Sequence, residues 1–87
     1  RNTVVKSFSP ELDIRGMYGD DACFMLDKYI DDAALAGIHT VRIIHGKGTG
    51  ALKAAVWQFL RGDKRIASFR IGAFGEGDGG VTVVEVK

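Results

Sequence analysis

Apolar positions recur along this chain with two different periods, and the switches between them outline six elements. Residues 11–15 alternate Leu12 and Ile14 with charged neighbours between Pro10 and Gly16, which predicts a short strand. The period then lengthens. Ala22, Met25, Leu26, Tyr29, Ile30, Ala33 and Ala36 fall on one face of a helix, with Asp20 as its expected N-cap and Gly37 as its stop. Residues 40–44 are short and rich in β-branched side chains (Thr40, Val41, Ile43, Ile44), the signature of a buried strand. A second helix follows, capped by Thr49 and striped by Leu52, Val56, Phe59 and Leu60, and it ends near Gly62. Residues 65–71, with Ile66, Phe69 and Ile71, and residues 81–86 predict two further strands joined through the glycine-rich run 75–80.

The order strand, helix, strand, helix, strand, strand is that of an α/β fold. Its first two strands are expected to run parallel through a right-handed crossover, so their C-terminal ends open on one edge of the sheet. Ligands of open α/β sheets bind outside such ends. Asp13, Arg15 and His45 are therefore expected to converge there.

Composition narrows the picture. Eighty-seven residues with 46% apolar content suit one domain, and 12 basic against 11 acidic residues leave a net charge of +1. Any basic surface is thus local. The single cysteine, Cys23, has no partner for an internal disulfide, and no apolar run approaches the roughly 20 residues that span a bilayer. A reducing, cytoplasmic setting without membrane contact is the expectation. Residues 1–10 begin with neither Met nor a signal pattern and read as a linker, leaving 11–87 as a domain excised from a longer protein.

The densest chemistry lies in the run His45-Gly46-Lys47-Gly48-Thr49-Gly50 between the second strand and the second helix. Alternate glycines allow a sharp turn that exposes backbone N–H groups, Lys47 adds a fixed cation and His45 a titratable imidazole. Opening a helix, such a loop also meets the positive end of its dipole, so it is suited to hold a phosphate. The spacing matches neither the P-loop nor the dinucleotide fingerprint. Arg15 suits a phosphate clamp, since guanidinium does not exchange protons at ordinary pH, whereas Asp13 serves either as a cap paired with Arg15 or as a catalytic carboxylate.

Weaker signals surround this run. Lys53, Trp57 and Arg61 recur every four residues on the second helix, either as a basic and aromatic row against nucleic acid or as a solvated flank with a half-buried Trp. Glu76 and Asp78 either complete a Mg²⁺ or Mn²⁺ site with Asp13 or simply occupy turns. Asp27, Asp31 and Asp32 read as solubility features, and Cys23 as inert. A mononucleotide-binding regulatory domain is disfavoured, because no ribose-binding acid stands at the expected distance.

Four ordered motifs, Leu12-Asp13-Ile14-Arg15-Gly16, residues 26–33 (LDKYIDDA), residues 41–50 (VRIIHGKGTG) and residues 79–84 (GGVTVV), together resemble the Smr (small MutS-related) domain. The resemblance covers residues 11–87 and is greatest to the version at the C-terminus of a bacterial MutS paralogue without mismatch-repair activity. It implies a two-layer α/β sandwich, a four-stranded mixed sheet with two helices, similar to the C-terminal domain of translation initiation factor three. It further implies nucleic-acid binding and endonuclease activity, with Asp13 and His45 as candidate catalytic residues. In the MutS-linked branch such a domain is tethered to a larger ATPase, acts on DNA and suppresses recombination. A non-catalytic module that binds branched DNA, or RNA on stalled ribosomes, and an RNA endonuclease acting on stalled ribosomes are the alternatives. Arg15 stands where stand-alone members commonly carry histidine, which argues against a two-histidine mechanism.

Overall fold

The computed structural model describes residues 8–87. Its elements are β1 (Glu11–Asp13), α1 (Gly19–Ala36), β2 (Thr40–Ile44), α2 (Ala51–Arg61), β3 (Ile66–Ile71) and β4 (Val81–Val86). The sheet order is β1-β2-β4-β3, with β1 and β2 parallel and both neighbours of β4 antiparallel to it. The expected α/β order and mixed four-stranded sheet are thus observed, and no helix is long and apolar enough to cross a membrane among the described residues.

Local chemistry explains where each element starts and stops. β1 is shorter than the predicted 11–15 because the Asp13 carboxylate accepts the Arg15 N–H at 3.0 Å and turns the chain. Helix α1 begins one residue before the expected Asp20 cap, with Tyr18 at the N-cap position and no side-chain capping bond. Gly19 permits this: a Cβ there would stand 3.2 Å from that of Ala55 on α2. Asp20 instead sits in the first turn, where its charge meets the helix dipole. Gly37, left-handed at φ 73°, ends the helix as expected. At α2, Gly50 rather than Thr49 occupies the N-cap, although Thr49 Oγ1 still accepts the Ala51 N–H at 3.3 Å.

Both helices cover one face of the sheet. Ala22, Leu26, Ile30 and Ala33 of α1 and Val56 and Leu60 of α2 are buried against Val41, Ile43, Ile66, Val84 and Val86. Full burial of each large aliphatic side chain is worth about 1.5–3 kcal/mol. The stripe on α1 is narrower than its sequence pattern, since Met25 and Ala36 are exposed. A register shift between Ile66 and Ser68 restores Ile66, Phe69 and Ile71 to a common face despite their uneven spacing. The opposite sheet face is polar, carrying the Arg42–Glu11 and Arg70–Glu76 ion pairs and a Thr40–Glu85 hydrogen bond. Phe8 stacks on Tyr29 at 4.9 Å and Ser9 accepts the Tyr29 hydroxyl at 2.6 Å, so this part of the expected linker contacts the domain.

Candidate nucleic-acid interface

The parallel pairing of β1 with β2 places the turn after Asp13 beside the glycine loop that follows Ile44. The loop is anchored from below: the N–H groups of His45 and Gly46 both donate to the Gly80 carbonyl, at 3.1 and 2.9 Å. Gly46 is left-handed at φ 79°, and a Cβ on it would press 3.4 Å from Arg15 Cγ. Arg15 therefore lies directly over the loop. Beyond Gly46, the N–H groups of residues 47–50 make no backbone bond among the described residues.

These residues open onto a cleft of about 330 Å³ lined by His45, residues 46–50, Ala51 to Lys53, and Met17 to Gly19. Its walls include the first residues of both helices, so two dipoles point positive ends into one space, joined by Lys47 and Lys53. Uncommitted amides, two lysines and two helix N-termini have the chemistry that suits an anion. Residues 45–50, expected from sequence to hold a phosphate, line one cleft together with Lys53. Lys47 meets Asp78 at 3.3 Å, an exposed pair that an incoming anion has to displace.

His45 forms the floor. It is only 6% exposed, and both ring nitrogens are engaged. Trp57 Nε1–H, a donor only, gives its proton to Thr82 Oγ1 at 2.8 Å. The Thr82 hydroxyl, fully buried, meets His45 Nε2 at 2.8 Å, and His45 Nδ1 faces the Gly46 carbonyl at 2.8 Å. A carbonyl only accepts, so Nδ1 carries a proton, and in the neutral ring Nε2 accepts from Thr82. The chain Trp57, Thr82, His45, Gly46 satisfies every member and leaves no buried side-chain polar atom unpartnered among the described residues.

Asp13 takes no part in that chain. Its carboxylate receives Arg15 Nε at 3.0 Å and Nη2 at 2.6 Å, and these bonds hold its pKa down at about 2. It is therefore ionised at neutral pH, fixes the Arg15 guanidinium, and does not orient His45, whose partners are Gly46 and Thr82. Lys53 Nζ sits 4.9 Å from the Trp57 ring centroid and Phe69 packs edge-on at 5.1 Å, so the half-buried indole is held between Lys53 and the sheet. Arg61 lies in the last turn of α2, about 15 Å along the helix from Ala51 by its rise of ~1.5 Å per residue, and does not line the cleft.

The carboxylate cluster expected for a metal is not formed. Asp13, Glu76 and Asp78 pair separately with Arg15, Arg70 and Lys47, and among the described residues no three His, Cys, Asp or Glu side chains stand together as ligands. Glu76 is held at a pKa of about 2 by the Arg70 fork. Cys23 is half-buried beside Ala55, and burial pushes its thiol upward, away from a reactive thiolate. Two contributors escaped the sequence reading: Thr82, which looks like one more β-branched strand residue, and Tyr18, an aromatic just before a helix.

Known proteins share this fold and sequence. A family model described as the Smr domain matches residues 12–87. Endonuclease MutS2 of Caldanaerobacter subterraneus is 55% identical over 85 residues, covering 98% of this chain and 11% of that protein. Endonuclease MutS2 of Geobacillus thermodenitrificans is 60% identical over 79 residues, covering 91% and 10%. The chain thus spans about a tenth of the length of these curated relatives. Among solved structures, the Smr domain of Thermus thermophilus MutS2 superposes with a TM-score of 0.86 at 44% identity, covering 88% of this chain and 96% of that one. YdaL, a stand-alone small MutS-related protein from Escherichia coli, shares the fold with a TM-score of 0.84 at 20% identity, covering 90% and 64%. With fold, motif positions and sequence in agreement over nearly its whole length, the chain belongs to the Smr domain family.

Proposed function

We propose that this domain grips a nucleic-acid phosphodiester in the glycine-loop cleft and nicks it by hydrolysis, acting on DNA as one module of a larger MutS-like ATPase that suppresses recombination. The observation that carries the reading is the cleft itself: uncommitted amides of residues 47–50, both helix N-termini, Lys47 and Lys53 on its walls, and Arg15 over its rim. Non-bridging oxygens fit those donors, which also stabilise the extra charge of a pentavalent transition state. His45, on the floor, brings an imidazole to the same cleft. Proton transfer there requires Nε2 to exchange the Thr82 hydroxyl for the attacking water or leaving oxygen while Nδ1–H stays on Gly46; such help is worth roughly 10²–10⁴ in rate. Asp13, ionised and bound to Arg15, acts as a positioning residue for the guanidinium. A bound Mg²⁺ or Mn²⁺ would supply charge neutralisation, with the substrate's own oxygens needed among its ligands because no three-residue set is present among the described residues.

One observation favours a second reading, a binding module that delivers the parent protein without cutting: both His45 nitrogens are already satisfied inside the fold. Supercoiled-plasmid nicking by this chain, its His45→Ala and its Lys47→Ala variants, each with Mg²⁺, Mn²⁺ or chelator, separates the two. Nicking that both substitutions abolish supports the endonuclease. Binding that Lys47→Ala weakens, with no nicking under any condition, leaves the binding module; Lys47 is exposed, so that variant keeps the fold.

A further inference from the structure

Tyr18 is 83% exposed, and its hydroxyl has no hydrogen-bond partner among the described residues. Single exposed aromatics are ordinary on protein surfaces; the location of this one is not. Among the described residues five large apolar side chains are exposed, Tyr18, Phe24, Met25, Leu35 and Phe74, and of these only Tyr18 lines the glycine-loop cleft. Its backbone is fixed. Residue 18 is the N-cap of α1 at φ −75° and ψ 152°, its carbonyl accepts the Ala22 N–H at 2.9 Å, and the preceding Met17 N–H is bonded to Ile14 at 3.1 Å. A Tyr on such a support has two side-chain torsions to order, so it offers a broad planar surface at little entropic cost.

The same cleft already contains phosphate-binding groups, and a phosphate in a strand brings a base with it. In a continuous duplex each base is stacked on both faces and hidden from a lateral cleft, whereas an unpaired base has a free face. The charge of the domain points the same way. With a net charge of +1 and, among the described residues, only Lys47, Lys53 and Arg15 at the cleft, few phosphates are neutralised there, and the electrostatic contribution that dominates duplex binding is small. Contact with a base has to supply the remainder.

We infer that Tyr18 forms a nucleobase subsite: its ring stacks on an unpaired base of the strand whose phosphate sits in the glycine loop, so the preferred ligand is single-stranded or splayed nucleic acid. This rests on the phosphate-gripping reading above and deepens it. The neighbouring Trp57 does not compete for the role, because its N–H is bonded to Thr82, Lys53 covers its ring and Phe69 meets it edge-on.

The test is fluorescence anisotropy of this chain with a labelled single-stranded DNA, with the same strand carrying abasic sites, and with the corresponding duplex. The wild-type domain is expected to prefer the intact strand over the abasic one by about 5- to 150-fold, the range of one base stacked on one aromatic ring. Tyr18→Ala should bring the intact strand down to the abasic level and leave abasic binding unchanged, while Tyr18→Phe keeps the preference. Circular dichroism should show all variants folded. An unchanged intact-to-abasic ratio in Tyr18→Ala, or duplex binding as tight as single-strand binding, overturns the inference. Lys47→Ala should weaken intact and abasic strands alike; if it weakens neither while the Tyr18 effect persists, the phosphate reading fails and the base subsite stands without it. No binding of any strand by the wild-type chain overturns both.

Discussion

Two glycine-rich segments of this domain look alike in sequence and do opposite things. Residues 45–50 follow a strand buried on one face only, leave four successive N–H groups without backbone partners among the described residues, and open directly into α2. Residues 72–80 join two antiparallel strands and bond five of their nine donors: Gly72 N–H reaches Val81, Ala73 N–H the Glu76 carboxylate, Glu76 and Asp78 N–H the Ala73 carbonyl, and Gly80 N–H Gly77, so no run of four stays open among the described residues. Glycine is required in the second segment by crowding. A Cβ at Gly77 would stand 2.2 Å from Val81 Cγ2, and one at Gly72 would stand 2.5 Å from the Glu76 carbonyl oxygen. At Gly48 and Gly50 it would meet nothing within 4 Å. Glycine content alone therefore says little about ligand binding; what matters is whether the loop closes its own hydrogen bonds.

The contrast can be broken experimentally, beginning with the segment where glycine is structural. Gly77→Ala combines a clash with Val81 and a left-handed backbone at φ 106°, and should cost about 2–4 kcal/mol in urea unfolding from overpacking and backbone strain together. Gly48→Ala, with open space and φ 28°, should cost only about 1 kcal/mol. Equal costs would dissolve the distinction. Next in size is Thr82→Val, which removes the hydroxyl shared by Trp57 Nε1–H and His45 Nε2 and should destabilise by about 1–3 kcal/mol, with a change in the His45 ring signals by NMR. Unchanged ring signals would refute the hydrogen-bonded chain.

Smaller effects test the charges over the open loop. Lys47→Ala should lower the salt slope of nucleic-acid binding by about one, as expected for one lost phosphate contact. Asp78→Asn frees Lys47 from its exposed partner and should raise affinity by about 1.4- to fivefold, in line with ~0.2–1 kcal/mol for such pairs. A fall in affinity would assign Asp78 to the ligand instead. The smallest effect is a pH dependence at Asp13. Its folded pKa is depressed to about 2 from 3.8, so the stabilisation from its pairing with Arg15 is fully present above pH 4 and is lost as pH falls toward 2. Asp13→Asn should therefore differ from wild type by a constant amount from pH 8 to pH 4, with the difference shrinking below.

Local pattern made much of the fold legible. The β-branched run at 40–44 and the periodic Ala22, Leu26, Ile30 and Ala33 declare their elements, and the uneven spacing of Ile66, Phe69 and Ile71 carries the trace of a bulge. The loop proposed to hold phosphate was legible for a similar reason, because its glycines and lysine are contiguous. The direction of the His45 side chain was not. It is set by the antiparallel register of β2 with β4, which brings Thr82, 37 residues away, onto the helix-covered face. Asp13 belongs with Ile44 and Val81 in the sheet register, one position out of phase with His45, so strand ends that converge still aim their side chains at different partners. The environment of Tyr18 likewise depends on two helix starts meeting in space, which no local window contains.

Strand β4 comes after every other element along the chain, yet it occupies the middle of the sheet between β2 and β3. Its entry residue region supplies the Gly80 carbonyl that pins His45 and Gly46, and its Thr82 fixes the imidazole. During synthesis, then, the lysine, glycines and histidine of the loop all emerge before anything can shape them into a cleft. A ribosome-bound or truncated fragment ending before residue 80 carries every side chain of the proposed phosphate site without the cleft that assembles it. The order of elements acts as a built-in assembly check, in which the proposed grip on a nucleic-acid strand is withheld until β4 has been threaded into the centre of the sheet.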